Sequence, residues 1–202
     1  MRVDADAVEI RVLGCLIEKQ RTTPDTYPLT LNALRLACNQ ATNRDPVVDY
    51  DEETIREALQ RLWRKEWARL ASGQGSRAVK YRQLVQDTLS LADDEISVLC
   101  VLMLRGPQTP GELKQRTERL HPFAGLAEVE ETLERLLDRE LAVRLDRRPG
   151  QKEERYAQLL GGAFDDSGFA DVPRPAHARD PLEERVAALE AEVAALKAEL
   201  GL

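Results

Sequence analysis

Glu9-Ile-Arg-Val-Leu-Gly-Cys-Leu16 returns as Glu95-Ile-Ser-Val-Leu-Cys-Val-Leu102. Both segments are helical by period: Ile10, Leu13 and Ile17 line one face, as do Ile96, Leu99 and Met103. Farther on, Ile55, Leu59, Leu62, Trp63 and Trp67 match Val129, Leu133, Leu136, Leu137 and Leu141. Tyr81-Arg-Gln-Leu84 then matches Tyr156-Ala-Gln-Leu159. Self-similarity in this order means one supersecondary unit built twice. The first copy is the longer. Its surplus falls in the Pro-bearing loop Thr22-Thr-Pro-Asp-Thr-Tyr-Pro28.

Each copy reads helix, helix, helix, β-hairpin. In the first, the period predicts helices near 4–20, 29–42 and 51–67, and strands near 68–72 and 78–84 around Gly73 and Gly75. Val79 and Tyr81 are expected inward, with Lys80 and Arg82 outward. In the second, helices are predicted near 93–104, 110–119 and 126–140, and strands near 142–146 and 154–159 around Pro149-Gly150. Asp51 and Asp93 have the chemistry of N-caps. Three helices and a two-stranded wing form the winged-helix pattern, a helix-turn-helix variant. The expected fold is therefore mainly α with small β wings: winged-helix domains at 1–86 and 87–160. Only 4% of the residues are aromatic, which suits two small aliphatic-packed units.

Residues 161–180, rich in Gly, Asp and Pro, read as a linker, with Phe164 and Phe169 able to pin it to a surface. A C-terminal helix over 181–202 then starts sharply, with Asp180 as N-cap, Pro181 and Glu183. Leu182, Val186, Leu189, Val193, Leu196 and Leu200 follow a heptad seam. Valine at a with leucine at d favours a parallel two-stranded coil. Arg185 would face Glu190 of a partner, and Glu192 would face Lys197. Homodimerisation is the favoured reading. The alternative, for a coil under three heptads long, is a helix folded back on its own body.

Chemistry of sites is sparse. His121 and His177 sit in no nucleophile or metal pattern, and Cys15, Cys38 and Cys100 form no CxxC cluster. Buried free thiols are the expectation, which suits a reducing cytosol. No signal-peptide core precedes the first helix, and no apolar run approaches the ~20 residues that span a bilayer. The expectation is a cytoplasmic protein without catalytic, cofactor or metal residues, and not an enzyme. Asn39, Gln40 and Arg44, in the polar joint between the second and third helices, are read as capping groups, with ligand contact as the alternative. Asn43 suits a left-handed conformation there.

The formal net charge of -7 excludes a uniformly basic nucleic-acid binder. The charge is uneven, however: 1–86 is net +2, 87–160 is net -4 and 161–202 is net -5. Only the first copy can approach a polyanion. Its third helix carries Arg56, Gln60, Arg61 and Arg64, with Arg56, Gln60 and Arg64 in one stripe. Arg and Gln are the residue types that read guanine and adenine. The wing adds Arg69, Arg77, Lys80 and Arg82, with no acid between 67 and 86. These eight residues are the candidate contacts to double-stranded DNA. Asp49, Asp51, Glu52 and Glu53 at the start of the same helix oppose that reading, and a solvated face is its alternative. In the second copy the third helix exposes Glu130, Glu131, Glu134 and Asp138, a stripe suited to a protein partner rather than a phosphate-lined groove.

Thr23-Pro-Asp-Thr-Tyr-Pro-Leu29, Asn32-Ala-Leu34 and Cys38-Asn-Gln40, with Asn43-Arg44 and Pro46-Val47, resemble the YceH-like family of uncharacterised bacterial proteins. The resemblance spans roughly 5–160. It implies a tandem winged-helix fold and supplies no activity, substrate or catalytic residue. Function thus rests on the residues: a dimeric DNA-binding, regulator-like protein using the first domain, or a protein-binding adaptor.

Overall fold

A computed structural model of the chain describes residues 4–71, 78–147 and 153–162. Helix α1 (Ala7–Thr22) starts at a capping box. Asp6 Oδ1 accepts from Glu9 N at 2.8 Å, and Glu9 Oε2 accepts from Asp6 N at 2.9 Å. Residues 9–17 are all buried, so this helix is covered on every side. Its repeat partner α5 (Asp93–Arg105) is the same, buried throughout 95–104. Ala92, not Asp93, is the N-cap of α5, because Glu95 Oε2 accepts from Ala92 N at 2.9 Å. Asp93 instead accepts from Arg21 at 2.6 Å and Gln86 at 2.8 Å.

The two repeat helices pack on one another. Gly14 and Cys100 are equivalent positions of the repeat, and Cys100 Sγ donates to Gly14 O at 3.4 Å. A Cβ on Gly14 would come within 2.9 Å of Leu104 Cγ and Cδ2, so any larger residue here would push the Leu104 side chain aside. One continuous buried core runs through both copies. Cys15, Cys38 and Cys100 are buried free thiols within it.

Around this pair stand α2 (Leu31–Cys38), α3 (Glu52–Arg64), the short α4 (Val85–Thr88), α6 (Pro110–Thr117) and α7 (Leu126–Asp138). The protein is thus mainly helical, with two small antiparallel sheets among the described residues. The first has β2 (Ala68–Leu70) on one side of β3 (Lys80–Gln83) and β1 (Leu29–Thr30) on the other. The second pairs β4 (Ala142–Leu145) with β5 (Arg155–Gln158), and Gln108 bridges to Tyr156 where β1 stands in the first.

Three further expectations are corrected. Leu29 and Thr30 form β1 rather than opening α2, because Thr30 caps that helix: its hydroxyl accepts from Ala33 N at 3.2 Å. Val79 is 51% exposed rather than inward. Helix α2 stops at Cys38, since Asn39 is engaged elsewhere, accepting from Tyr50 N at 2.9 Å and donating to Tyr50 O at 2.8 Å. The expected linker and C-terminal heptad helix, including Leu182, Val186, Leu189, Val193, Leu196 and Leu200, lie outside the described residues.

Candidate nucleic-acid interface

Helix α3 is positioned by its inner face, where Ile55, Ala58, Leu59 and Leu62 are buried. Asp51 caps it, accepting from Thr54 N at 2.8 Å. That bond from the Thr54 backbone holds the Asp51 carboxyl below its ordinary value. Burial of the inner face turns Arg56, Gln60 and Arg64 outward, and all three are exposed. Glu52 and Glu53 are also exposed, at the first turn.

Arg61 is placed differently. It is drawn toward α1, with Asp6 at 3.0 Å, Glu9 at 3.8 Å and Glu57 at 3.8 Å. Lys65 closes the same cluster, 2.5 Å from Glu9. Arg61 therefore belongs to the joint between α1 and α3, not to the outward stripe.

On the adjoining sheet, Arg69 of β2 stands directly opposite Arg82 of β3. Partners in register share a face, so the two cations lie side by side, with Lys80 two positions from Arg82 on that face. Among the described residues, Arg56, Arg64, Arg69, Lys80 and Arg82 form no ion pair. The Arg82 Nε is buried without an acceptor among those residues. Like charges placed directly opposite are destabilising, and nothing described offsets this pair. Arg77 lies outside the described residues.

Between α3 and the two strands is a cleft of about 290 Å³. Leu59, Trp63, Leu70 and Tyr81 form its apolar part, and Arg56, Gln60 and Arg69 its polar edge. Trp63 is 64% exposed and Leu70 57% exposed. Trp63 aligns with Leu137, a half-buried position of the second copy. Its spacing from Arg56 and Gln60, seven and three residues on, was the signal that it shares their stripe.

The polar joint after α2 is a built structural knot. The Arg44 side chain is fully buried and pairs with Glu18 through two bonds, at 3.0 and 2.6 Å. Its Nε donates to Ala37 O, capping the end of α2, and another nitrogen donates to Gln40 Oε1. Burial pushes the Glu18 carboxyl up, but the hydrogen bonds and charge of Arg44 outweigh it, and the group sits below its ordinary value. Asn43 adopts a left-handed conformation at φ 60°. Arg11 donates to Cys38 O at 3.1 Å and Pro46 O at 2.5 Å. Of the three residues read as capping groups, Arg44 alone does that work; Asn39 is bonded to the Tyr50 backbone and Gln40 accepts from Arg44.

A family model described as "Protein of unknown function, DUF480" matches residues 5–151, a span that contains this knot, α3 and the three-stranded sheet of the first copy. The chain belongs to the DUF480 family. The UPF0502 protein YceH of Salmonella paratyphi B is 45% identical to this DUF480 chain over 207 residues, covering 99% of this chain and 96% of its own length. The UPF0502 protein YceH of Salmonella typhimurium strain LT2 matches with the same figures. Among the described residues of the DUF480 chain, no helix is long and apolar enough to cross a membrane.

Proposed function

We propose that this is a non-enzymatic, cytoplasmic, tandem winged-helix protein that binds DNA through its first domain. On this reading the heptad seam from Leu182 to Leu200 joins two chains, and α3 with the β2–β3 wing supplies the contact surface of each. The observation that supports it most is the Arg69–Arg82 pair: two cations opposite one another, without ion-pair partners among the described residues, beside Lys80 and the outward Arg56 and Arg64. Like charges in register are unfavourable by themselves and are relieved by a bound polyanion. Because Glu52 and Glu53 occupy the first turn of α3, phosphates are met by its later turns and the wing.

A mobility-shift titration of duplex DNA at low ionic strength tests the reading. Binding should weaken steeply with salt, with a slope of about -0.9 per phosphate neutralised. Joint Arg56→Ala and Arg64→Ala replacement should weaken it further. Absence of any salt-sensitive shift contradicts the proposal.

A second reading, an adaptor that binds protein through the second domain, is supported by one observation. Glu130, Glu131, Glu134 and Asp138 form an exposed stripe on α7. A stable partner lost when Glu130, Glu131 and Glu134 are neutralised would favour it, and failure to recover any partner would count against it.

A further inference from the structure

We propose that the cleft between α3 and the β2–β3 strands accepts an unstacked nucleobase, so that the preferred DNA is single-stranded or locally opened. The inference rests on the DNA-binding reading above and names the form of DNA that the surface takes.

The cleft joins two features that an uninterrupted duplex leaves unexplained. Its apolar part is offered to solvent, with Trp63 64% and Leu70 57% exposed. Duplex DNA stacks its bases away from such a surface. An unstacked base has a free π-face, and an aromatic side chain is the usual platform for it. The polar edge is the right chemistry for the base's rim: Gln60 and Arg56 carry the donors and acceptors that read base edges.

Charge then sets the path of the backbone. Glu52 and Glu53 repel phosphates from the start of α3, whereas the end of α3 and β2 present Arg64 and Arg69 without described carboxylate partners. A strand crossing the later turns of α3 meets cations on both sides of Trp63. A row of cations flanking a stacking ring is the arrangement that tracks a single strand.

Size separates this occupant from a protein surface. The cleft, about 290 Å³, is lined by eight residues, against roughly 20–30 residues a side in a standard protein interface. The second copy shows that the opening is not a by-product of the fold. There Arg144 stands opposite Tyr156 in register and lies over its ring, 5.7 Å from the centroid. Glu134 at 2.6 Å and Glu154 at 3.6 Å hold Arg144 in place. The counterpart of Arg144 in the first copy is Leu70, which leaves Tyr81 and Trp63 accessible.

The test uses the full chain at low ionic strength and fluorescence anisotropy with three labelled probes. These are oligo(dT), a duplex of the same length, and that duplex with a central run of unpaired thymines. The wild type should bind the first and third more tightly than the duplex, by on the order of tenfold. Tryptophan emission should fall on binding, since Trp63 is exposed whereas Trp67 is buried. Trp63→Ala should bring the ratio of single-strand to duplex affinity to about one, and Trp63→Phe should retain part of the preference. Arg64→Ala should weaken all three probes alike. Equal affinity of the wild type for duplex and oligo(dT), or a preference that survives Trp63→Ala, overturns the base cleft and leaves the DNA reading standing. A cleft of that kind would fit an apolar protein segment instead. Failure to bind any of the three probes overturns the DNA reading itself.

Discussion

The two copies of the repeat hold themselves together in the same way and face solvent with opposite chemistry. Glu9 and Glu95 occupy equivalent positions, and the side chain of each accepts the N-cap backbone N–H at the start of a buried helix. Each then receives a cation from the end of its own third helix. Glu9 takes Lys65 at 2.5 Å and Arg61 at 3.8 Å, and Glu95 takes Arg139 at 2.9 Å and Arg135 at 3.8 Å. On the outer side the likeness ends. Arg56, Gln60 and Arg64 align with Glu130, Glu134 and Asp138. The first copy leaves its outward arginines without described partners, while Arg144 and Arg147 of the second are neutralised by Glu134 and Glu154. Inward charges are tied to the fold in both copies, so they report architecture. Outward charges differ at equivalent backbone positions, so they report use.

The largest expected effect tests the shared half of that comparison. Glu9→Ala and Glu95→Ala each remove the acceptor of an N-cap backbone N–H and leave two partly exposed cations without their buried carboxylate. Each should cost about 2 kcal/mol in urea denaturation. Markedly unequal losses would show that the two joints are not alike.

Glu18 sharpens the difference, because its counterpart in the repeat is Leu104. Glu18→Gln should cost about 2 kcal/mol at neutral pH by stranding the buried Arg44. The Glu18 carboxyl lies below its ordinary value in the folded chain. Its contribution is therefore present above the unfolded pKa of about 4.3, and is lost as pH falls through the lower folded value. Acidification across that window should reduce the stability of the wild type more than that of Glu18→Gln. Parallel pH profiles for the two would exclude the pair as an acid-sensitive element.

Gly14→Ala tests where the copies meet. The new methyl would press on Leu104 and Met103. A net loss of about 1 kcal/mol is expected, since overpacking exceeds the helix-propensity gain. A higher melting temperature would place the helices farther apart than described. The smallest effect concerns the outward face. Arg69→Gln should leave stability unchanged or raise it by about 0.5 kcal/mol, by relieving the like-charge pair with Arg82. The same change should weaken DNA binding. A loss of stability would mean that Arg69 serves the fold.

Much of the fold was legible because periodicity reports burial. The matched apolar positions of α1 and α5, the third helices and the four hairpin strands all follow from spacing. Residues whose role depends on a distant partner were not legible in this way. Arg61 lies next to the outward stripe in sequence, and only Asp6 and Glu9 of α1 reveal that it turns inward. Thr30 ends a strand and caps a helix at once, which no helical period shows. Trp63 was absorbed into a core pattern because it aligned with Leu137, which is half-buried on α7. Spacing alone therefore shows the outward charge pattern of Arg56, Gln60 and Arg64 on α3, but neither the inward turn of Arg61 nor the apolar centre between α3 and the strands.

The central claim is that any polyanion-binding surface belongs to the first copy alone. The most direct test is the salt dependence of DNA affinity for two double variants of the full chain. Arg69→Ala with Arg82→Ala should reduce the slope of log K against log salt by about 1.8, two phosphates' worth. Arg144→Ala with Arg147→Ala, at the paired arginines of the second copy, should leave the slope unchanged. Equal reductions in both variants, or no measurable affinity in the wild type at low salt, would contradict the account.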